Sequence, residues 1–164
     1  MKSSLAKRIA VFLTEIGIEV VPAQLSGDTF LPGIAIENGK ILVDEEKLIY
    51  PGDLPHEAGH LALAPRDVRS GLSGEVLLPD ANMNLVEAAA IAWSNAASLH
   101  LGLDPRTVFH EGGYRGKSAA LLMNFELGVP LGVNGLQDAG MTMIENAARE
   151  GVRPYPHMLK WLRD

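Results

Sequence analysis

The chain has 164 residues, of which 47% are hydrophobic and 21% are charged, and its 14 basic and 20 acidic side chains give a formal net charge of −6. Such a composition is typical of a globular chain with a core of its own, and it excludes a disordered protein. The acidic balance argues against a nucleic-acid partner. The absence of cysteine excludes disulfides, thiolate nucleophiles and cysteine-ligated metals. We expect residues 1–164 to form a single domain.

The N-terminal segment is predicted to be a helix that packs against the core. Over residues 4–16 the apolar side chains recur on one helical face, and Gly17 would end the helix. No stretch of the sequence approaches the ~20 apolar residues of a membrane-spanning helix. The apolar run near the N-terminus lacks the small-residue cleavage site of a signal peptide. The sequence therefore predicts a cytoplasmic protein with no membrane partner.

The next part of the chain predicts a small β-sheet. Residues 18–21 alternate in polarity and are β-branched, which indicates a short strand. The pair Asn38-Gly39 readily adopts the two positive φ angles of a type I′ turn, and β-branched residues flank it over 34–37 and 40–44. We therefore expect a β-hairpin around this turn.

Most of the remaining chain is predicted to be helical. One helix begins at His56, with Asp53 or Leu54 as its N-cap, and it ends by residue 64 because a proline follows. Further helices are expected over residues 84–101, 118–127, 136–149 and 157–163, and the loop over 65–82 could include a strand at 75–78. The fold is thus expected to be α+β, mainly helical, with a small sheet.

That helix begins with the motif His56-Glu57-Ala58-Gly59-His60. Residues four apart on a helix lie about 5–6 Å apart on one face, so both imidazoles can bind one Zn²⁺ ion. Glu57 would then lie beside the metal, where it can act as the general base for a zinc-activated water. Gly59 costs about 1 kcal/mol relative to alanine in a helix. Its presence indicates that another backbone or a substrate packs closely against this turn.

A catalytic zinc site needs a third protein ligand. Glu87 is the best candidate, because it lies among apolar residues on the next predicted helix, where a lone carboxylate is costly to bury unless it is paired or bound to metal. Asp80 and His110 are the alternative ligands, and without a ligand role Glu87 would be an exposed helix glutamate. The metzincin arrangement is excluded, because Leu63 and Arg66 occupy the positions of its glycine and third histidine.

Three stretches together resemble a known family: residues 34–44, the run from Pro51 to His60, and residues 86–90. They are similar to the small gluzincins, and most of all to the ImmA/IrrE group of minimal zinc metallopeptidases. The resemblance covers about residues 30–100. It implies a zincin-like domain in which a strand lies beside the motif helix, with His56, His60 and Glu87 as zinc ligands and Glu57 as the general base.

Hydrolysis of a peptide bond also needs a donor that stabilises the tetrahedral oxyanion. Tyr114 and His110 are candidates, because they lie in a glycine-rich loop that can approach a cleft. Their alternative roles are packing for Tyr114 and capping of the preceding segment for His110. Tyr155 and His157 are further candidates near the C-terminus.

The sequence thus predicts a cytoplasmic zinc metallopeptidase that hydrolyses peptide bonds in a peptide or protein substrate. An extended substrate could add to strand 34–37 or to strand 40–44. One alternative is a catalytically weak zincin-like domain that binds metal or a protein partner. Another is a helix without metal, in which His56 or His60 would contact the apolar core.

Overall fold

The computed structural model describes residues 3–27, 29–76, 78, 81–129, 131–144 and 151–164. Within these residues the fold is α+β, with six α-helices and one three-stranded mixed sheet. In chain order the elements are α1 (Ser4–Glu15), β1 (Val20–Pro22), β2 (Ile34–Glu37), β3 (Lys40–Val43), α2 (Asp53–Leu63), α3 (Arg66–Arg69), α4 (Met83–His100), α5 (Ser118–Glu126) and α6 (Val133–Asp138), with 3₁₀ turns at Pro105–Thr107 and Tyr114–Gly116. The predictions for α1, α4 and α5 are confirmed to within one residue at each end.

The predicted hairpin forms two of the three strands of the sheet, β2 and β3. Glu37 pairs with Lys40, and both Asn38 (φ 50°) and Gly39 (φ 72°) have the positive φ angles that the turn requires. The strand order is β1-β3-β2, with β1 parallel and β2 antiparallel to β3. Since β3 has a neighbour on each side, only β2 of the two predicted peptide-binding strands lies at an edge.

The first strand differs from its prediction over residues 18–21. It runs from Val20 to Pro22, so the proline lies within the strand. Proline is tolerated there because β1 is an edge strand. Ile18 belongs instead to the end of α1, where its amide donates to the carbonyl of Leu13.

Helices α2 and α4 share the largest helix–helix interface of the described residues. A side chain at Gly59 would bring its Cβ to 2.9 Å from the carbonyl oxygen of Ala90, so only glycine permits this approach. The expectation that another backbone packs against Gly59 is confirmed. Buried alanines on α4 allow the same closeness from the other side, and they are Ala89, Ala90, Ala92, Ala96 and Ala97.

Helix α2 begins three residues before the predicted start at His56. Its N-cap is Gly52, rather than Asp53 or Leu54, and no side chain caps it. A Cβ at this glycine would lie 1.7 Å from the carbonyl oxygen of Thr107, so the neighbouring loop requires glycine here. Asp53 is therefore free to make a different contact.

The predictions for the last third of the chain are partly wrong. The helix expected over 136–149 is the shorter α6, and residues 145–150 lie outside the described residues. No helix forms over 157–163, because this segment bonds to the core instead. The carbonyl of Trp161 accepts from the Trp93 indole, and the Arg163 amide donates to the carbonyl of Ala62.

The loop before α4 is also different from its prediction. Glu75, Val76 and Leu78 lie outside any strand, and residue 77 is outside the described residues. The loop instead contains α3, and the Gly74 amide donates to the carbonyl of Ile36 on β2. In the part of the chain that the structure describes, no helix combines the length and the apolar character needed to cross a membrane.

Candidate metal centre

Three side chains converge where α2 meets α4. His56 and His60 lie one turn apart on α2, and Glu87 lies on α4, about one turn before the Ala90 backbone that contacts Gly59. The close approach of the two helices at the glycine therefore places the carboxylate opposite the two imidazoles. One potential ligand atom from each residue lies within 4.8 Å of the others.

The distances within this triad match the edges of a tetrahedral zinc site. The Nε2 atoms of His56 and His60 are 3.3 Å apart. The oxygens of Glu87 lie 3.1 Å from His60 Nε2 and 3.6 Å from His56 Nε2. Two ligand atoms, each ~2.05 Å from zinc at a tetrahedral angle, are about 3.3 Å apart. The three residues therefore fit a zinc ion, and this set includes the predicted third ligand.

Hydrogen bonding alone does not satisfy this arrangement. The Nε2 atom of His60 has two close neighbours, the nitrogen of His56 and an oxygen of Glu87. It has only one proton to donate, and it has none when it acts as an acceptor. A divalent cation would use a lone pair of all three groups at once. The Nε2 atoms of both histidines face each other and Glu87, while the Nδ1 atom of His60 is buried without a hydrogen-bond partner among the described residues.

The protonation states of two triad members favour metal binding. Burial lowers the pKa of His56 to about 4, an effect that His60 adds to and Glu87 opposes. The hydrogen bond with His60 lowers the pKa of Glu87. At neutral pH these residues are therefore an uncharged imidazole and a carboxylate, which are the forms that bind metal.

Glu57 follows His56 on α2 and is half-buried. Burial raises its pKa, His60 opposes the rise, and the carboxylates of Asp53 and Glu87 add to it. A carboxylate with a raised pKa is a stronger base, which is the property that a general base needs near neutral pH.

The structure places Tyr114 behind His56 rather than between the ligands. Its hydroxyl lies 3.5 Å from His56 Nδ1, the ring nitrogen that does not face Glu87, and the two rings meet edge to face at 5.4 Å. Burial raises the pKa of the Tyr114 phenol, the Asp53 carboxylate adds to the rise, and a hydrogen bond with Ser94 opposes it. This position suits a partner that orients a metal ligand, while the oxyanion role stays a prediction.

Of the alternative third ligands, His110 is not brought to the triad. The Nε2 of His110 donates to Asp53 Oδ1 across 2.8 Å, and its ring stacks on Tyr50 at 3.8 Å. Asp80 lies outside the described residues. Sequence reasoning treated Asp53 only as a helix cap and did not single out Ser94. A buried acid one turn before the motif was the one signal that could have indicated a role for Asp53.

The two C-terminal candidates lie away from the triad. The hydroxyl of Tyr155 donates to the carbonyl of Ala92 and accepts from Asn95, about two turns along α4 from Glu87. The backbone carbonyl of His157 accepts from Thr142. A cavity of about 640 Å³ borders this end of α4, and none of the triad residues line it.

The chain matches no model of a protein family, and neither the curated proteins nor the solved structures include a match to it. Its similarity to gluzincins therefore depends on the motif residues. The geometry of the triad is the independent observation that bears on function.

Proposed function

We propose that this chain is a zinc-dependent metallopeptidase with a zincin-like fold that acts in the cytoplasm. His56, His60 and Glu87 hold the zinc ion, and Glu57 is the general base. The convergence of the three ligand atoms at tetrahedral spacing is the observation that supports the proposal most strongly. A metal site without catalysis has no use for a half-buried carboxylate beside the ligands, so Glu57 favours the enzyme.

The roles of the residues follow from their chemistry. Bound zinc supplies a Lewis acid that lowers the pKa of water to about 7 and polarises a carbonyl. The two neutral imidazoles donate lone pairs, and Glu87 contributes a negative charge that balances part of the cation. Glu57 accepts a proton from the attacking water and delivers it to the leaving amine, so the peptide bond is exchanged for a carboxylic acid and an amine.

A peptide or protein is the proposed substrate, and β2 is the strand to which it could add. Two backbone groups of β2 that point away from β3 already have hydrogen-bond partners. The Ile34 amide donates to the carbonyl of Leu31, and the carbonyl of Ile36 accepts from Gly74. A peptide can therefore pair with β2 only along the part of its outer edge that the segment around Gly74 leaves uncovered.

The test is hydrolysis by the zinc-loaded protein and by Glu57→Gln, measured with a library of fluorogenic peptides and an unfolded protein substrate. We expect cleavage by the native chain, and a loss of at least about 100-fold in the variant with zinc content unchanged. Chelation should abolish the cleavage and added zinc should restore it. Glu126→Gln, an exposed position on α5, is the matched control and should cleave normally.

Two results would contradict this proposal. Equal cleavage by Glu57→Gln would remove the general base from the mechanism. Full zinc binding by the native chain without hydrolysis of any substrate would favour the alternative, a zincin-like domain that binds metal or a protein partner.

A further inference from the structure

Asp53 and His110 form a buried polar pair near the proposed metal centre. Asp53 is the first residue of α2, and its carboxylate accepts the 2.8 Å hydrogen bond from His110. Both side chains are largely shielded from solvent. Burial of such groups is costly unless they are paired, and the pairing joins two segments that are 57 residues apart in sequence.

The segment that follows His110 has a strained backbone. Tyr114 (φ 54°) and Arg115 (φ 52°) both adopt the left-handed region, which side chains other than glycine rarely occupy. Conformations of this kind cost about 1–3 kcal/mol each and persist only where the surrounding structure holds them. The loop from residue 110 to residue 118 therefore needs fixed attachment points.

The structure supplies these attachment points at the start of the loop. The Ser118 hydroxyl donates to the carbonyl of His110 across 2.6 Å, which closes the loop on itself. The His110 ring stacks on Tyr50 at an angle of 11°. A Cβ at Gly112 would lie 2.8 Å from the Tyr50 ring, so a side chain at this position would displace that ring.

The loop contacts α2 twice, one helical turn apart. His110 contacts Asp53, and Tyr114 contacts His56, three residues later on the same face of α2. A histidine that binds metal through Nε2 normally has its Nδ1 held by a fixed partner, which sets the tautomer and the ring orientation. For His56 that partner is the Tyr114 hydroxyl. In the described part of the chain, the buried Nδ1 of His60 has no such partner.

We propose that Asp53 and His110 are positioning residues of the metal centre, which dock the loop on α2 so that the Tyr114 hydroxyl orients His56 for metal binding. The inference rests on the proposed metal site. The pair itself touches neither metal nor substrate and acts through Tyr114. Removal of the pair should therefore weaken metal binding without removing a ligand.

The test is the dissociation constant for Zn²⁺, measured by competition with a chromophoric chelator. We expect Asp53→Ala and Tyr114→Phe each to weaken binding by about 10-fold. Asp53→Asn should restore most of the affinity, because its amide oxygen still accepts from His110. If the pair acts through Tyr114, the double variant with both Asp53→Ala and Tyr114→Phe should bind Zn²⁺ as well as the single variant that has the lower affinity.

Matched controls and a spectroscopic readout separate positioning from a general loss of stability. Asp44 is as buried as Asp53, at 5% exposure, and accepts from the Leu25 and Glu46 amides. Asp44→Ala and Tyr155→Phe should therefore leave zinc affinity unchanged. The visible absorption of the Co²⁺-substituted protein reports ligand geometry, and it should change in Asp53→Ala but in neither control.

Three results would overturn the inference. The first is native zinc affinity and a native Co²⁺ spectrum in Asp53→Ala. The second is losses that multiply in the double variant, since the pair would then act independently of Tyr114. The third is a native chain that binds no zinc, a result that would overturn the proposed function as well. Zinc binding without hydrolysis would contradict only the proposed function, and the positioning role could still be tested. If Asp53→Ala does not fold, His110→Phe supplies the same comparison, because it keeps a ring against Tyr50 and removes the bond to Asp53.

Discussion

Helices α2 and α5 are similar in length but differ in how they are packed. Eight of the eleven residues of α2 are buried, whereas α5 buries only Ser118 among its nine residues. Helix α2 packs on α4, α1 and β3, while α5 mainly contacts the two 3₁₀ turns. Two of the proposed metal ligands and the general base lie on α2. The difference indicates that the site is built where neighbouring elements hold the backbone from several sides, which is what a fixed ligand geometry requires.

The largest expected contrast is in the free energy of unfolding of two matched leucine variants. Leu61 on α2 is fully buried, and Leu127, the C-cap of α5, is 69% exposed. Leu61→Ala should lose about 2–5 kcal/mol, because it removes buried methyl groups and leaves a cavity. Leu127→Ala should stay within about 0.5 kcal/mol of the native chain. Urea denaturation measures both, and equal losses would contradict the distinction between the two helices.

The acid stability of the metal-free protein tests whether the buried centre is sensitive to pH. Burial lowers the pKa of His56 to about 4 in the folded chain, against about 6.5 when unfolded. Between pH 6.5 and about 4, His56 is protonated in the unfolded chain but stays neutral in the folded chain. The stability that this residue contributes is therefore present above pH 6.5 and is lost as the pH falls towards 4, by up to about 3 kcal/mol.

Denaturation of the chelator-treated protein at several pH values measures this loss. His56→Gln should flatten the dependence between pH 6.5 and 4, whereas His157→Gln, outside the site, should keep it. The same slope in the native chain and in His56→Gln would show that other groups set the acid sensitivity.

A smaller effect is expected from closing the gap between α2 and α4. Gly59→Ala would push the Ala90 backbone away, at a cost of about 1–3 kcal/mol for overpacking, and the gain in helix propensity of about 1 kcal/mol offsets part of it. We expect a net loss of up to about 2 kcal/mol and weaker zinc binding, because Glu87 moves with α4. Gly71→Ala, where the nearest atom would be 3.6 Å away, should change neither. A Gly59→Ala variant with native stability and native zinc affinity would mean that the helix spacing does not set the site.

Local signals in the sequence predicted much of the region around α2. The Asn38-Gly39 turn determines its hairpin through φ angles that few other residue pairs adopt, and the spacing of the motif histidines follows from helical periodicity. The apolar neighbours of Glu87 in the sequence pointed to the facing carboxylate, although its side chain is 47% exposed in the fold. Each of these inferences depends on residues that are close in sequence or on the chemistry of one side chain.

Contacts between distant segments account for what the sequence did not predict. The segment over 157–163 has a helix-like composition, but its backbone bonds to Trp93 and Ala62 instead. The pairing of Asp53 with His110 spans 57 residues, and no local pattern encodes it. Local propensity is overridden in such places, because the tertiary partners satisfy the same hydrogen bonds.

The most direct test of the central claim is the zinc stoichiometry and affinity of the native chain, Glu87→Gln and Glu126→Gln. The two variants make the same chemical change on α4 and on α5. We predict one zinc per native chain, a loss of affinity of at least about 100-fold in Glu87→Gln, and native binding in Glu126→Gln. A native chain that binds no zinc, or a Glu87→Gln variant that retains full affinity, would contradict the account of this site.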